Sequence, residues 1–80
     1  MEQNHLVILA TELARHIDRS LMTIARRAGV HARLFERLEE GAGCNIRTFI
    51  QTMQWFADNW PEDLEWPRDV PRPTQKKEVA

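Results

Sequence analysis

The stretch SLMTIARRAGVHARLFERLEEG, residues 20–41, carries one glycine in its middle and one at its end, and these two positions limit the fold more than any other feature. Ser20 is a good helix N-cap, and Leu21–Ala28 reads as a short helix with Ile24, Ala25 and Ala28 facing inward. Gly29 ends that helix, because a left-handed C′ position favours a residue without Cβ. Val30 then stands as an apolar N′ residue and Phe35 at N4 if His31 is the N-cap, the spacing of a hydrophobic staple. The pattern predicts a further helix over residues 32–40 that buries Phe35 and Leu38 and stops at Gly41. Two short helices joined so tightly cross at close range, and Ala25 is small enough to permit it.

The flanks read as helices too. Leu6, Leu9 or Ala10, Leu13 and Ile17 recur at helical spacing, which predicts a first helix over about residues 4–18. Gly41, Ala42 and Gly43 make a flexible turn. Asn45 caps a fourth helix running to about Asp58, with Ile46, Phe49, Ile50, Met53 and Phe56 as one apolar face. Pro61 suits the first position of a last short turn over residues 62–66. From Pro67 the composition turns to prolines and mixed charge, so residues 67–80 are expected to be a disordered tail beyond a domain of residues 1–66. No strand pattern and no internal repeat is evident. The expected fold class is all-α, a compact domain of four to five helices.

Eighty residues allow one domain with a modest core, which a partner subunit would help to stabilise. No segment is long enough to span a bilayer, and Glu2 has the wrong sign for a signal-peptide leader before the apolar run at residues 6–10, so a cytoplasmic address is expected. Cys44 is the sole cysteine, which excludes an intramolecular disulfide and a cysteine-rich zinc site. His5, His16 and His31 lack metal-ligand spacing, and no cofactor or metal is expected. Paired carboxylates, a nucleophile with its base and a phosphate loop are all missing from the pattern, so the chain does not read as an enzyme. The net charge of −1 hides an uneven distribution. Arg15, Arg19, Arg26, Arg27, Arg33 and Arg37 face only Asp18 and Glu36 within their span, while most carboxylates gather at Glu39, Glu40 and residues 58–69.

With these residues in place, the segment has the layout of a helix-turn-helix, and it resembles the lambda-repressor-like family of the Cro/repressor type. The resemblance rests on Ile24-Ala25, Gly29-Val30, Phe35, Leu38-Glu39 and Gly41, continues through Asn45-Ile46-Arg47-Thr48-Phe49-Ile50, and covers roughly residues 6–60. It implies that the third helix enters the major groove of double-stranded DNA, with Ala32, Arg33, Glu36 and Arg37 facing base edges. Arginine forks suit guanine O6 and N7, a glutamate accepts from cytosine N4, and an alanine meets a thymine methyl. It also implies phosphate contacts from Ser20, His31, Gly43, Asn45 and Arg47. The chain departs from the family at Leu21, where a glutamine is usual, at His31 in place of a serine or threonine cap, and in a loop of residues 41–44 without lysine or arginine.

Each assignment has a plainer counterpart. Arg33 and Arg37 equally suit a solvated face paired with Glu36 and Glu40, and Leu34 either meets a thymine methyl or packs back on the second helix. Trp55 points to the side of the fourth helix and, with Trp60, Leu64 and Trp66, forms the expected contact of a homodimer on an inverted-repeat operator; otherwise Trp60 and Trp66 fold back over a small core. The expected function is a DNA-binding transcriptional regulator, a dimeric repressor of phage or mobile-element type in a bacterial setting. The alternative is a protein-interaction module of the antiactivator or antitoxin kind on the same scaffold.

Overall fold

The structure, a computed structural model, describes residues 4–73, in which the chain forms four helices and no strand: α1 (Asn4–Ile17), α2 (Leu21–Ala28), α3 (Leu34–Glu39) and α4 (Ile46–Asn59). Leu6, Leu9, Ala10, Leu13 and Ala14 line the buried stripe of α1 at the spacing the sequence predicts. This stripe packs against both α2 and α3, and Ile24, Ala25, Phe35 and Leu38 complete one core with it.

The first three helices end in the same way. Asp18, Gly29 and Gly41 have φ of 58°, 80° and 101°. At each end the next amide reaches back across the last turn: Arg19 N–H to the Ala14 carbonyl at 2.9 Å, Val30 to Ala25 at 3.1 Å, and Ala42 to Arg37 at 3.0 Å. These are the long bonds of the Schellman motif, and they satisfy carbonyls that the helix itself leaves open. Nothing lies within 4 Å of a Cβ built on Gly29, so the demand for glycine there comes from the backbone angle alone. A side chain at such an angle costs about 1 kcal/mol.

Helix starts are equally local. The Ser20 hydroxyl accepts from Thr23 N–H at 3.2 Å, and Asn45 Oδ1 accepts from Thr48 N–H at 2.8 Å. α3 begins later than residues 32–40 predict. The His31 carbonyl takes the Leu34 amide at 2.9 Å, its ring Nδ1 takes the Arg33 amide at 3.1 Å, and Arg33 sits at φ −103°, ψ 16°. His31 is therefore not the N-cap expected of it: its ring and carbonyl close a tight turn first, the N-cap position falls to Arg33 without a side-chain cap bond, and six residues remain for the helix.

Two further expectations fail, and both failures concern what covers α4. Thr52, Met53, Phe56 and Ala57 are its buried residues, whereas Ile46 and Ile50 are 59% and 58% exposed. Polarity ranks threonine outside and isoleucine inside. Thr52 reverses this because its hydroxyl donates to the Thr48 carbonyl at 2.7 Å and so enters the core with its polar atom satisfied.

The second failure is the tail. Residues 60–64, Trp-Pro-Glu-Asp-Leu, and 66–70, Trp-Pro-Arg-Asp-Val, are two copies of one short pattern and fold alike. In each, the indole N–H donates to a carbonyl four residues on, Trp60 to Leu64 and Trp66 to Val70, both at 2.7 Å. The amides of Leu64 and Val70 return to the carbonyls of Pro61 and Pro67 at 3.3 and 3.2 Å. The first copy is a turn and not a fifth helix; the second carries the ordered structure past Pro67, the expected boundary. Val70 is buried, Arg72 lies 4.8 Å over the Trp66 ring, and its guanidinium donates to the Ala57 carbonyl at 2.9 Å. The core thus needs residues 66–72; the rest of the expected tail, residues 74–80, lies outside the described residues. Val70→Ala is expected to cost about 2 kcal/mol in denaturant unfolding, where a disordered tail would give no change.

Candidate nucleic-acid interface

The side chains that face solvent on and around α3 follow from which ones the core claims. Phe35 and Leu38 are buried, and Leu34 is half-buried against the same core, so it packs mainly inward. Arg33 and Arg37 remain exposed, Glu36 is half-exposed, and Ala32 is half-buried at the turn. Arg33 Nε lies 3.3 Å from Glu36 Oε1, with side-chain exposures of 64% and 39%. Two of the four expected base-facing residues are therefore paired with each other. The pair is a surface ion pair and contributes little to stability.

Around α3 stand the expected phosphate-facing residues. Ser20 and Asn45 are exposed at the N-termini of α2 and α4, each with its side-chain oxygen engaged in capping. Amides in the first turn of each helix have no partner within the helix and carry the positive end of its dipole. Gly43 and Arg47 are exposed; His31 keeps only Nε2 for a ligand because Nδ1 holds the Arg33 amide. Leu21, the departure at the head of α2, is half-buried against the core, so that position is spent on packing. Every arginine from Arg15 to Arg47 is exposed. The carboxylates of residues 58–69 sit at the C-terminal end of α4 and beyond it, where Asp63 meets His16 Nε2 at 3.2 Å. Cys44 is half-buried against the core, and burial pushes its thiol pKa up, which disfavours the reactive thiolate.

The tryptophans divide. Trp60 is 7% exposed and belongs to the core, edge-on to Phe56 at 6.1 Å and to Trp66 at 5.0 Å. Trp66 is half-buried beneath Arg72, and Leu64 is half-buried with its carbonyl held by Trp60. Trp60 is thus removed from the expected dimer contact, and Trp66 and Leu64 are drawn largely into this chain's own packing. The reason is the paired turn, which gives each indole N–H an internal acceptor and allows the ring inside. Trp55 is half-buried, set against Phe56 at 5.2 Å, and borders a groove of 440 Å³ with Leu13, Ile17, Arg27, Asn59 and Pro61.

What sequence periodicity missed is Ile46 and Ile50. Ile50 shares a largely apolar groove of 530 Å³ with His5, Phe49, Met53, Pro71 and Pro73. Among the described residues, no three histidine, cysteine or acidic side chains are placed to hold a metal ion, and no helix is long and apolar enough to cross a membrane. No family model, curated protein or solved structure matches this chain. Trp60→Ala is expected to lower stability by about 3–5 kcal/mol and to lose near-ultraviolet ellipticity at any protein concentration. A loss only of dimer, with the protomer intact, would return Trp60 to an interface.

Proposed function

We propose that the chain is a sequence-specific DNA-binding regulator of the Cro/repressor type that acts as a homodimer on an inverted-repeat operator. The observation that carries the proposal is the division of α3: Leu34, Phe35 and Leu38 turn to the core while Arg33, Glu36 and Arg37 stay in solvent after the Gly29 turn. In this reading α3 lies in the major groove. Arg33 and Arg37 fork onto guanine edges, and Ala32 stands where a thymine methyl would pass. First-turn amides of α2 and α4, with Gly43, Arg47 and His31 Nε2, position the domain on phosphates and carry no sequence information of their own. A partner domain is required because one six-residue helix reads few base pairs; two-fold pairing places a second copy one helical turn away. With Trp60 inside, the large apolar side chains most exposed among the described residues are Ile46 and Ile50 of α4, and that contact is assigned to their face.

The same face favours a second reading, in which the scaffold binds a different protein as an antiactivator or antitoxin does. The two readings separate in one titration. Fluorescence anisotropy against duplexes enriched from a random pool is expected to give binding that weakens steeply with salt, the slope in log–log form being about −0.9 per phosphate contacted. Arg33→Ala is expected to lose about 1–3 kcal/mol of preference for the enriched site with its unfolding curve unchanged. Absence of any salt-sensitive, sequence-dependent binding would sink the DNA reading. A stoichiometric protein complex abolished by Ile50→Asp would then support the second.

A further inference from the structure

The ion pair at the start of α3 has a geometry that bears on how a base is read. We infer that Glu36 is a positioning residue: it holds the Arg33 guanidinium by Nε so that the two terminal nitrogens point forward as a fork for one guanine. The inference rests on the DNA-binding reading above and changes the part that Glu36 plays in it.

Arginine has two edges that can take a planar acceptor pair, one through Nε and one through the two terminal nitrogens. Glu36 Oε1 accepts from Nε at 3.3 Å, which occupies the first edge. Among the described residues neither terminal nitrogen is engaged, so the end-on fork is the edge that remains. That fork matches guanine O6 and N7, which accept side by side in the major groove. The backbone supports the same direction. Arg33 stands at the N-cap of α3 with φ −103° and ψ 16°, its amide tied to the His31 ring, so the side chain leaves from the end of the helix that leads into a groove.

Glu36 is poorly placed to read a base itself. It lies one turn further along α3, about 4.5 Å from Arg33 along the axis, and is less exposed than Arg33. A lone carboxylate so near DNA phosphates is repelled, whereas one paired with a guanidinium adds no net charge. The ion pair therefore removes the main objection to an acidic residue at this position and at the same time limits the arrangements open to a long side chain before binding.

Selection from a duplex pool randomised over about three helical turns, with the full chain as bait, supplies the test. Wild type is expected to enrich a guanine whose preference disappears in Arg33→Ala; competition between duplexes differing at that base pair should give about 10-fold discrimination or more. In Glu36→Gln this discrimination is expected to fall about threefold at that one position, while affinity for unrelated duplex stays level or rises. Glu36→Asp, which keeps the charge but is one methylene too short, is expected to lie with Glu36→Gln. Unfolding curves of both variants check that the fold is intact. If the guanine preference is unchanged in Glu36→Gln, the inference is overturned; a cytosine preference lost at a neighbouring position instead would make Glu36 a direct reader. If the wild type enriches no sequence, the DNA-binding reading itself fails, and this is evident before any variant is measured.

Discussion

Three left-handed residues, Asp18, Gly29 and Gly41, set the direction of the chain at the ends of α1, α2 and α3. Each reversal is sealed by an amide reaching five residues back, so the turn and the helix end form one rigid unit. The placement of α2 across α1, and of α3 across both, depends on these angles, because a turn of a few residues leaves almost no freedom once its φ is fixed. Ile24 and Ala25, fully buried, sit where α2 meets this crossing. Asp18 is the one reversal made by a residue with a side chain, which marks the α1–α2 junction as the least relaxed of the three.

A second constraint comes from the small size of the core. Phe35, Phe56, Trp60 and Trp66 form a continuous column of rings with neighbouring centroids 5.9, 6.1 and 5.0 Å apart, and Arg72 lies over its end. The column ties α3, through α4, to the residues after it. The two Trp-Pro-x-Asp turns thereby perform the covering that a fifth helix would otherwise provide. They do so with two indole hydrogen bonds and little regular structure.

How much of this was legible in the sequence depends on whether the signal was local. Ser20, Gly29, Gly41 and Asn45 act within four or five residues of themselves, and the ends they define are found where the residue types place them. The α1 stripe was legible for the same reason, since period alone sets it. The face of α4 was not, because it depends on whether Thr52 can satisfy its hydroxyl internally and on what later chain covers the helix. The ordered residues 67–73 were hidden by composition: prolines and charges read as a tail, and the repeat of Trp-Pro-x-Asp is too short to register as periodicity. His31 was expected as the N-cap of α3, and that place falls to Arg33 because the His31 ring closes a turn ahead of the helix. At the candidate site, exposure of Arg33 and Arg37 followed from register with Phe35 and Leu38. Of the two surface pairings the spacing offered, Arg33 with Glu36 and Arg37 with Glu40, the structure has the first.

These constraints converge on α3, a helix too short to be stable alone and held by Leu34, Phe35 and Leu38 on one side. Its outward side chains are presented by a frame that the caps and the ring column make rigid, which suits recognition of a rigid surface such as a DNA groove. The central claim is that this side of the molecule, and not the apolar face of α4, meets DNA. Amide chemical-shift perturbation of the ¹⁵N-labelled chain, titrated with duplex DNA at low salt, tests it residue by residue. The account predicts shifts concentrated at residues 31–37 and at the first turns of α2 and α4, fading as salt is added. Shifts confined to the carboxylate-rich residues 58–69 or to Ile50 and Met53, past the first turn of α4, or none at saturating duplex, would contradict it.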